Sequence, residues 1–203
     1  LLLCGILSSL LYVALNVAGA LSWSAYSLSS QSVSELLAIG APSRAVALSL
    51  GLGYDLALVA FGLGVRASAG HRRGLHAVAW LLMAIGVLGL FWPPMHMRGT
   101  AFSLTDALHI AFASLVVVLT MAAVAFGAGA LGARFRSYSV ATLLVLVVFG
   151  SLAASDASRV AANLSTPWLG VTERICIGAY LLWVTVLAAR LLRADSTNRL
   201  SHA

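Results

Sequence analysis

Six stretches of this chain, each about twenty residues long and almost wholly apolar, are bounded by arginines, prolines or polar clusters. A helix that crosses the hydrocarbon core of a bilayer needs roughly 20 such residues, because each adds about 1.5 Å of rise across a core about 30 Å thick. The runs fall at about residues 1–22, 45–65, 75–92, 105–132, 139–155 and 170–189. Lipid offers the backbone no hydrogen-bond partner, so each run must satisfy its own N–H and C=O groups as a helix. The expected fold class is therefore all-α: a polytopic membrane protein with six transmembrane helices in a bundle, one six-helix membrane domain over 1–203. Composition points the same way, with 61% hydrophobic and 9% charged residues, against about 45–50% and about 25% in soluble domains. That excludes a water-soluble enzyme, a disordered tail and a nucleic-acid-binding domain.

The boundaries have local causes. Pro93 and Pro94 remove two backbone donors and stop the third run. Thr166 can cap the sixth, with Pro167 in its first helical position. The first run begins without a methionine, so an upstream segment is expected to be missing or processed; a cleaved signal peptide is the weaker alternative for a run this long. Cys4 and Cys176 match no metal-ligand spacing and read as small hydrophobes inside helices. Gly51, Gly53, Gly62 and Gly64 read as close-packing positions on the second helix.

All twelve basic residues are arginines, and the six-span model sorts them. Arg66, Arg72, Arg73, Arg134, Arg136, Arg190, Arg193 and Arg199 fall on one side, and Arg44, Arg98, Arg159 and Arg174 on the other. By the positive-inside rule the first side is cytoplasmic, together with both termini. The acids Glu35, Asp106, Asp156 and Glu173 then lie on the outer side with the four remaining arginines, as partnered groups at the bilayer edge. The expected location is a prokaryotic cytoplasmic membrane with polar loops outside. Those outer loops are long, roughly 22, 12 and 14 residues, while the inner connections are short turns. A function is expected in the long loops.

Each outer loop carries candidate site residues. Ser32-x-x-Glu35 is a capping box, with Gly40 and Pro42 ending the turn. Glu35 also suits an outer arginine as partner. In the second outer loop, His96 and Arg98 can fold back over Asp106 and His109, which share a helix face three residues apart. Ser103-x-x-Asp106 is itself a capping pattern that favours the helix dipole. In the third, Asp156 and Arg159 are spaced for an intrahelical pair, followed by Asn163 and by Glu173-Arg174, whose side chains point apart and seek other elements. Arg174 with Asp106 or Glu35 is the expected bridge. Trp23, Trp92 and Trp168 read as interfacial anchors. Asp55 stands apart, because it sits about ten residues, or roughly 15 Å, into the second span. An acid at that depth is costly and reads as a hydrogen-bond node, with Tyr54 or Asn16 as partner, or as a ligand or proton site.

The stretches Trp23-Ser-Ala-Tyr-Ser, Gln31-Ser-Val-Ser-Glu-Leu, Ala38-Ile-Gly-Ala-Pro, Met95-His-Met-Arg-Gly, Thr105-Asp-Ala-Leu-His and the segment from Ala162 to Ile175 together resemble the prokaryotic membrane family catalogued as domain of unknown function 998. The resemblance runs from about Leu11 to Leu192 and implies six helices with the same polar outer cluster, but no reaction. A fainter likeness to six-helix proteins of the Frag/DRAM/Sfk type points toward lipid-linked roles. The chain departs from intramembrane zinc amidohydrolases. Only His96 and His109 lie outside, His76 begins the third span on the inner side, and no His-x-x-x-His pair occurs.

The leading expectation is an outer polar pocket of Glu35, His96, Arg98, Asp106, His109, Asp156, Arg159, Asn163, Glu173 and Arg174. It would bind a small ligand or lipid head group, or dock a membrane-protein partner, with arginines recognising an anion bidentately. One alternative is a metal-dependent membrane hydrolase with His96, Asp106 and His109 as ligands and Glu35 as general base. A second is a transporter built on Asp55. Beyond the lipid bilayer the sequence names no cofactor and no partner, and nothing in it suits nucleic acid.

Overall fold

The computed structural model describes residues 1–200, with side chains as far as Asp195, so Arg199 of the set expected to be cytoplasmic lies outside the described side chains. The elements are α1 (Leu3–Leu21), a 3-10 turn (Val33–Leu37), α2 (Arg44–Ala67), α3 (Arg73–Leu90), α4 (Leu104–Ala128), α5 (Ala133–Ser155), the short α6 (Ala157–Ala161) and α7 (Leu169–Leu200). Six helices are long and apolar enough to cross a membrane, with α5 and α6 acting as one. The all-α expectation therefore holds. Among the described residues the β-structure is a single bridge, Ile39 with His96.

Two helix starts differ from expectation. The fifth begins at Ala133 instead of about residue 139, so Arg134 and Arg136 sit in its first turn and not in a loop. Gly132, at φ 87°, supplies the left-handed turn that launches it. Arginine stems can cover apolar surface while their heads leave it, so the hydropathy profile lags behind the true helix start. At the sixth span, α7 starts at Leu169 and Thr166 is not its cap. The Thr166 hydroxyl donates instead to the Ser30 carbonyl at 2.9 Å.

Each long helix packs on the next in the chain, and α7 returns to α1, so the helices form a closed ring. At the end of the short turns, the ring is filled. Phe61, Leu82, Phe135, Trp183 and Leu187 are fully buried there, and the Trp183 indole donates to Ser139 Oγ at 2.9 Å. Helices approach closely at two glycines: a Cβ on Gly62 would lie 2.6 Å from Met83, and one on Gly127 would lie 2.5 Å from Trp183.

The end that carries the long loops is hollow. A cavity of about 290 Å³ is lined by Tyr12 of α1, Leu52 and Asp55 of α2, Gly89 of α3, Val116 of α4, Leu146 of α5 and Tyr180 of α7. A wider cavity of about 600 Å³ adjoins it toward α4, α5 and α6, and the two share Tyr12, Trp92, His109 and Ile177.

Candidate functional site

The loops over this hollow end are tied together by side chains from distant segments. Ser32 and Glu35 form the expected capping box on the 3-10 turn, with the Ser32 N–H donating to Glu35 Oε2 at 2.7 Å. Glu35 is 1% exposed, and its carboxylate also accepts from Arg98 Nε at 2.7 Å and Nη2 at 2.9 Å. That is a bidentate pair, the strong form of an arginine–carboxylate contact. Arg98 goes on to donate to Thr166 Oγ1 at 2.9 Å and to the Ser30 carbonyl at 3.1 Å, joining all three long loops. A backbone bond from Ile39 N–H to the Met95 carbonyl at 2.7 Å adds to the same seam.

Arg174 does not bridge to Asp106 or Glu35. Its guanidinium donates to the carbonyls of Leu28, Gln31 and Gly170 and to the Tyr26 hydroxyl, and it lies over the Tyr26 ring at 5.6 Å. Burial pushes the Tyr26 phenol up to about 12 against the pull of Arg174, so the group keeps its proton and donates to the Ser32 carbonyl at 2.6 Å. Glu173 and Arg174 do point apart, as adjacent helical residues must. Glu173 Oε2 accepts from the Val33 N–H at 2.7 Å, at the start of the 3-10 turn, and its other face lines the wider cavity.

In the second loop His96 folds back onto Asp106 as expected, whereas Arg98 turns to Glu35 instead of covering Asp106 and His109. Asp106 Oδ1 accepts from the His96 N–H at 2.7 Å, and Oδ2 accepts from the Ser103 N–H at 2.9 Å and the Ser103 hydroxyl at 2.7 Å. His96 Nδ1 lies 3.2 Å from Oδ2. His96 lines the wider cavity with its Nε2 side away from this carboxylate. His109 takes another direction. Its Nδ1 lies 2.8 Å from the Pro93 carbonyl and 3.0 Å from Trp92 Nε1, and one nitrogen serves only one of them at a time. His96, Asp106 and His109 therefore do not converge, and among the described residues no three His, Cys, Asp or Glu side chains group as metal ligands.

Asp156 and Arg159 pair at 3.7 Å, but the shorter bonds of Arg159 run to the Ser165 carbonyl, at 2.9 and 2.7 Å. Asn163 holds φ at 54° just past α6 and accepts from the Gly99 N–H at 2.7 Å. Arg98, Arg159 and Arg174 thus donate to the protein's own acceptors around the mouth, while the Arg174 Nε is buried without a partner.

Asp55 accepts from neither Tyr54 nor Asn16: Asn16 Nδ2 donates to the Tyr12 carbonyl, and the Asp55 carboxylate lines the narrower cavity, 8% exposed. Sequence reasoning missed Tyr12 and Tyr180 of the cavity, singled out Tyr54 only as a partner for Asp55, and missed that Trp92 lines the cavity and touches His109 besides reading as an interfacial anchor. No spacing rule signals them, because they come together only when four helices close.

Residues 6–190 match the family model described as protein of unknown function, DUF998. No curated protein and no solved structure matches the chain.

Proposed function

We propose, for a chain that belongs to the DUF998 family of membrane proteins, that it binds a lipid-like amphiphile in the cavity at the long-loop end of its ring of helices. The observation that supports this reading is the wider cavity of about 600 Å³, walled by Ile110, Val117, Ala153 and Ile177 and rimmed by His96, Asn163 and Glu173. Ligand sites are commonly clefts of about 300–1,000 Å³, mostly apolar, with a few polar groups that fix orientation. An amphiphile satisfies both parts at once. Its tail covers the apolar wall, while His96 Nε2 and the Glu173 carboxylate meet its polar end. The arginines act indirectly, by holding the loops that form the rim. By the positive-inside distribution this mouth faces outward, so the ligand enters from the outer leaflet or from outside the cell.

Native mass spectrometry on protein released gently from the membrane tests the reading. The wild type is expected to retain an amphiphile, and Ala153→Phe, which fills the wall, is expected to lose it while keeping its helical circular dichroism. Folded wild-type protein that neither retains a lipid nor takes one up from mixed micelles would remove the reading.

A further inference from the structure

The deep end of the narrower cavity holds a feature that amphiphile binding alone does not use. On α2, Arg44, Leu48, Leu52 and Asp55 line the cavity at offsets of 4, 8 and 11 residues, which is one face of a helix. Asp55 lies about 16 Å below Arg44 at a rise of about 1.5 Å per residue. The carboxylate packs against Gly89, whose missing side chain makes room for it, since an added Cβ would strike the Asp55 oxygens. Tyr12 and Tyr54 meet edge to face with centroids 4.9 Å apart, and both line the same cavity. The Tyr180 hydroxyl, also at this cavity, is buried without a hydrogen-bond partner.

A carboxylate at this depth calls for a positive partner, yet among the described residues none pairs with it. The two basic side chains that line the cavity are engaged at its mouth: Arg44 donates to the Leu37 carbonyl at 2.6 Å, and His109 faces Pro93 and Trp92. The missing partner is therefore brought by the ligand. Resting on the reading of the cavity as an amphiphile site, we propose that it takes a lipophilic amine, with the ammonium group at Asp55 and the apolar body along Leu48, Leu52 and Val117. An ammonium supplies the counter-charge, offers an N–H to the Tyr180 oxygen, and gains from the electron-rich tyrosine rings. A proton alone would neutralise Asp55 but would leave the Tyr180 hydroxyl unmatched and the cavity unfilled.

The test uses the full chain in phosphatidylcholine nanodiscs and isothermal titration with octylammonium and with octanol, after subtraction of empty nanodiscs. Wild-type protein is expected to bind octylammonium about tenfold or more tightly than octanol, and Asp55→Asn to erase that preference. Tyr54→Leu, which leaves the acid in place, is expected to cut the preference for octylammonium over octanol severalfold, and it carries the test if Asp55→Asn does not fold. An octylammonium preference retained in folded Asp55→Asn would overturn the proposal. Equal binding of the two probes by wild-type protein would overturn the ammonium assignment and leave the amphiphile cavity standing. Binding of neither probe by folded protein would remove the cavity reading, and the proposal with it.

Discussion

Arg98 reaches three loops from one side chain, and its tie to Glu35 is the most buried ion pair among the described residues of the long-loop cluster, with side-chain exposures of 22% and 2%. Removing one partner of such a pair leaves the other charge desolvated, which costs about 3–5 kcal/mol, whereas replacing both with apolar groups is often neutral. Glu35→Gln is therefore expected to destabilise the protein by about 3 kcal/mol in detergent unfolding, and adding Arg98→Met is expected to recover much of that loss. Equal losses in the single and double variants would show that Glu35 acts through its capping of the 3-10 turn and not through Arg98. Gly89 makes a second case at the same scale. Its Cβ would meet the Asp55 carboxylate, while a Cβ on Gly178 of the same bundle would meet nothing within 4 Å. Gly89→Ala is expected to cost about 1–3 kcal/mol, as overpacking does, and Gly178→Ala close to nothing, by thermal unfolding of the two variants side by side.

Among the elements, α6 shows what ends a helix at a membrane surface. Asn163 stops it at φ 54° and the Leu164 N–H returns to the Arg159 carbonyl at 2.8 Å, so the last turn closes on itself. Alanine at that position pays about 1–2 kcal/mol for the left-handed backbone, and glycine does not. Both substitutions lose the bond to the Gly99 N–H, so Asn163→Ala is expected to be less stable than Asn163→Gly by about 1 kcal/mol in the same unfolding assay. This is also the scale at which the sequence was most legible. Spans follow from length and hydropathy, and the capping boxes at Ser32/Glu35 and Ser103/Asp106 follow from a spacing of three residues, so both are local properties. The start of α5 was hidden because Arg134 and Arg136 are polar at the head and apolar along the stem. The partners of Arg174 were hidden for another reason: three of its acceptors are backbone carbonyls, which every residue carries and no side-chain pattern advertises.

For the molecule as a whole, the decisive asymmetry is between its two ends. Trp183, Phe61 and Phe135 fill the ring where the short turns lie, while the long-loop end encloses the cavities. With both described cavities at the long-loop end, the direction in which the ring sits in the membrane decides which compartment they sample. The proposed orientation puts the filled end in the cytoplasm, because anionic lipids and the positive-inside rule both favour basic residues there. Single cysteines in a Cys4→Ala, Cys176→Ala background test this directly. Thr100 and His71 are both exposed, the first in the loop before α4 and the second in the turn before α3. In intact cells a membrane-impermeant maleimide is expected to label Thr100→Cys and to spare His71→Cys until the membrane is permeabilised. The reverse pattern would turn the mouth toward the cytoplasm. The charge-tied loops would then guard an inward-facing cavity, and a ligand would have to be supplied by cytoplasmic chemistry or the inner leaflet.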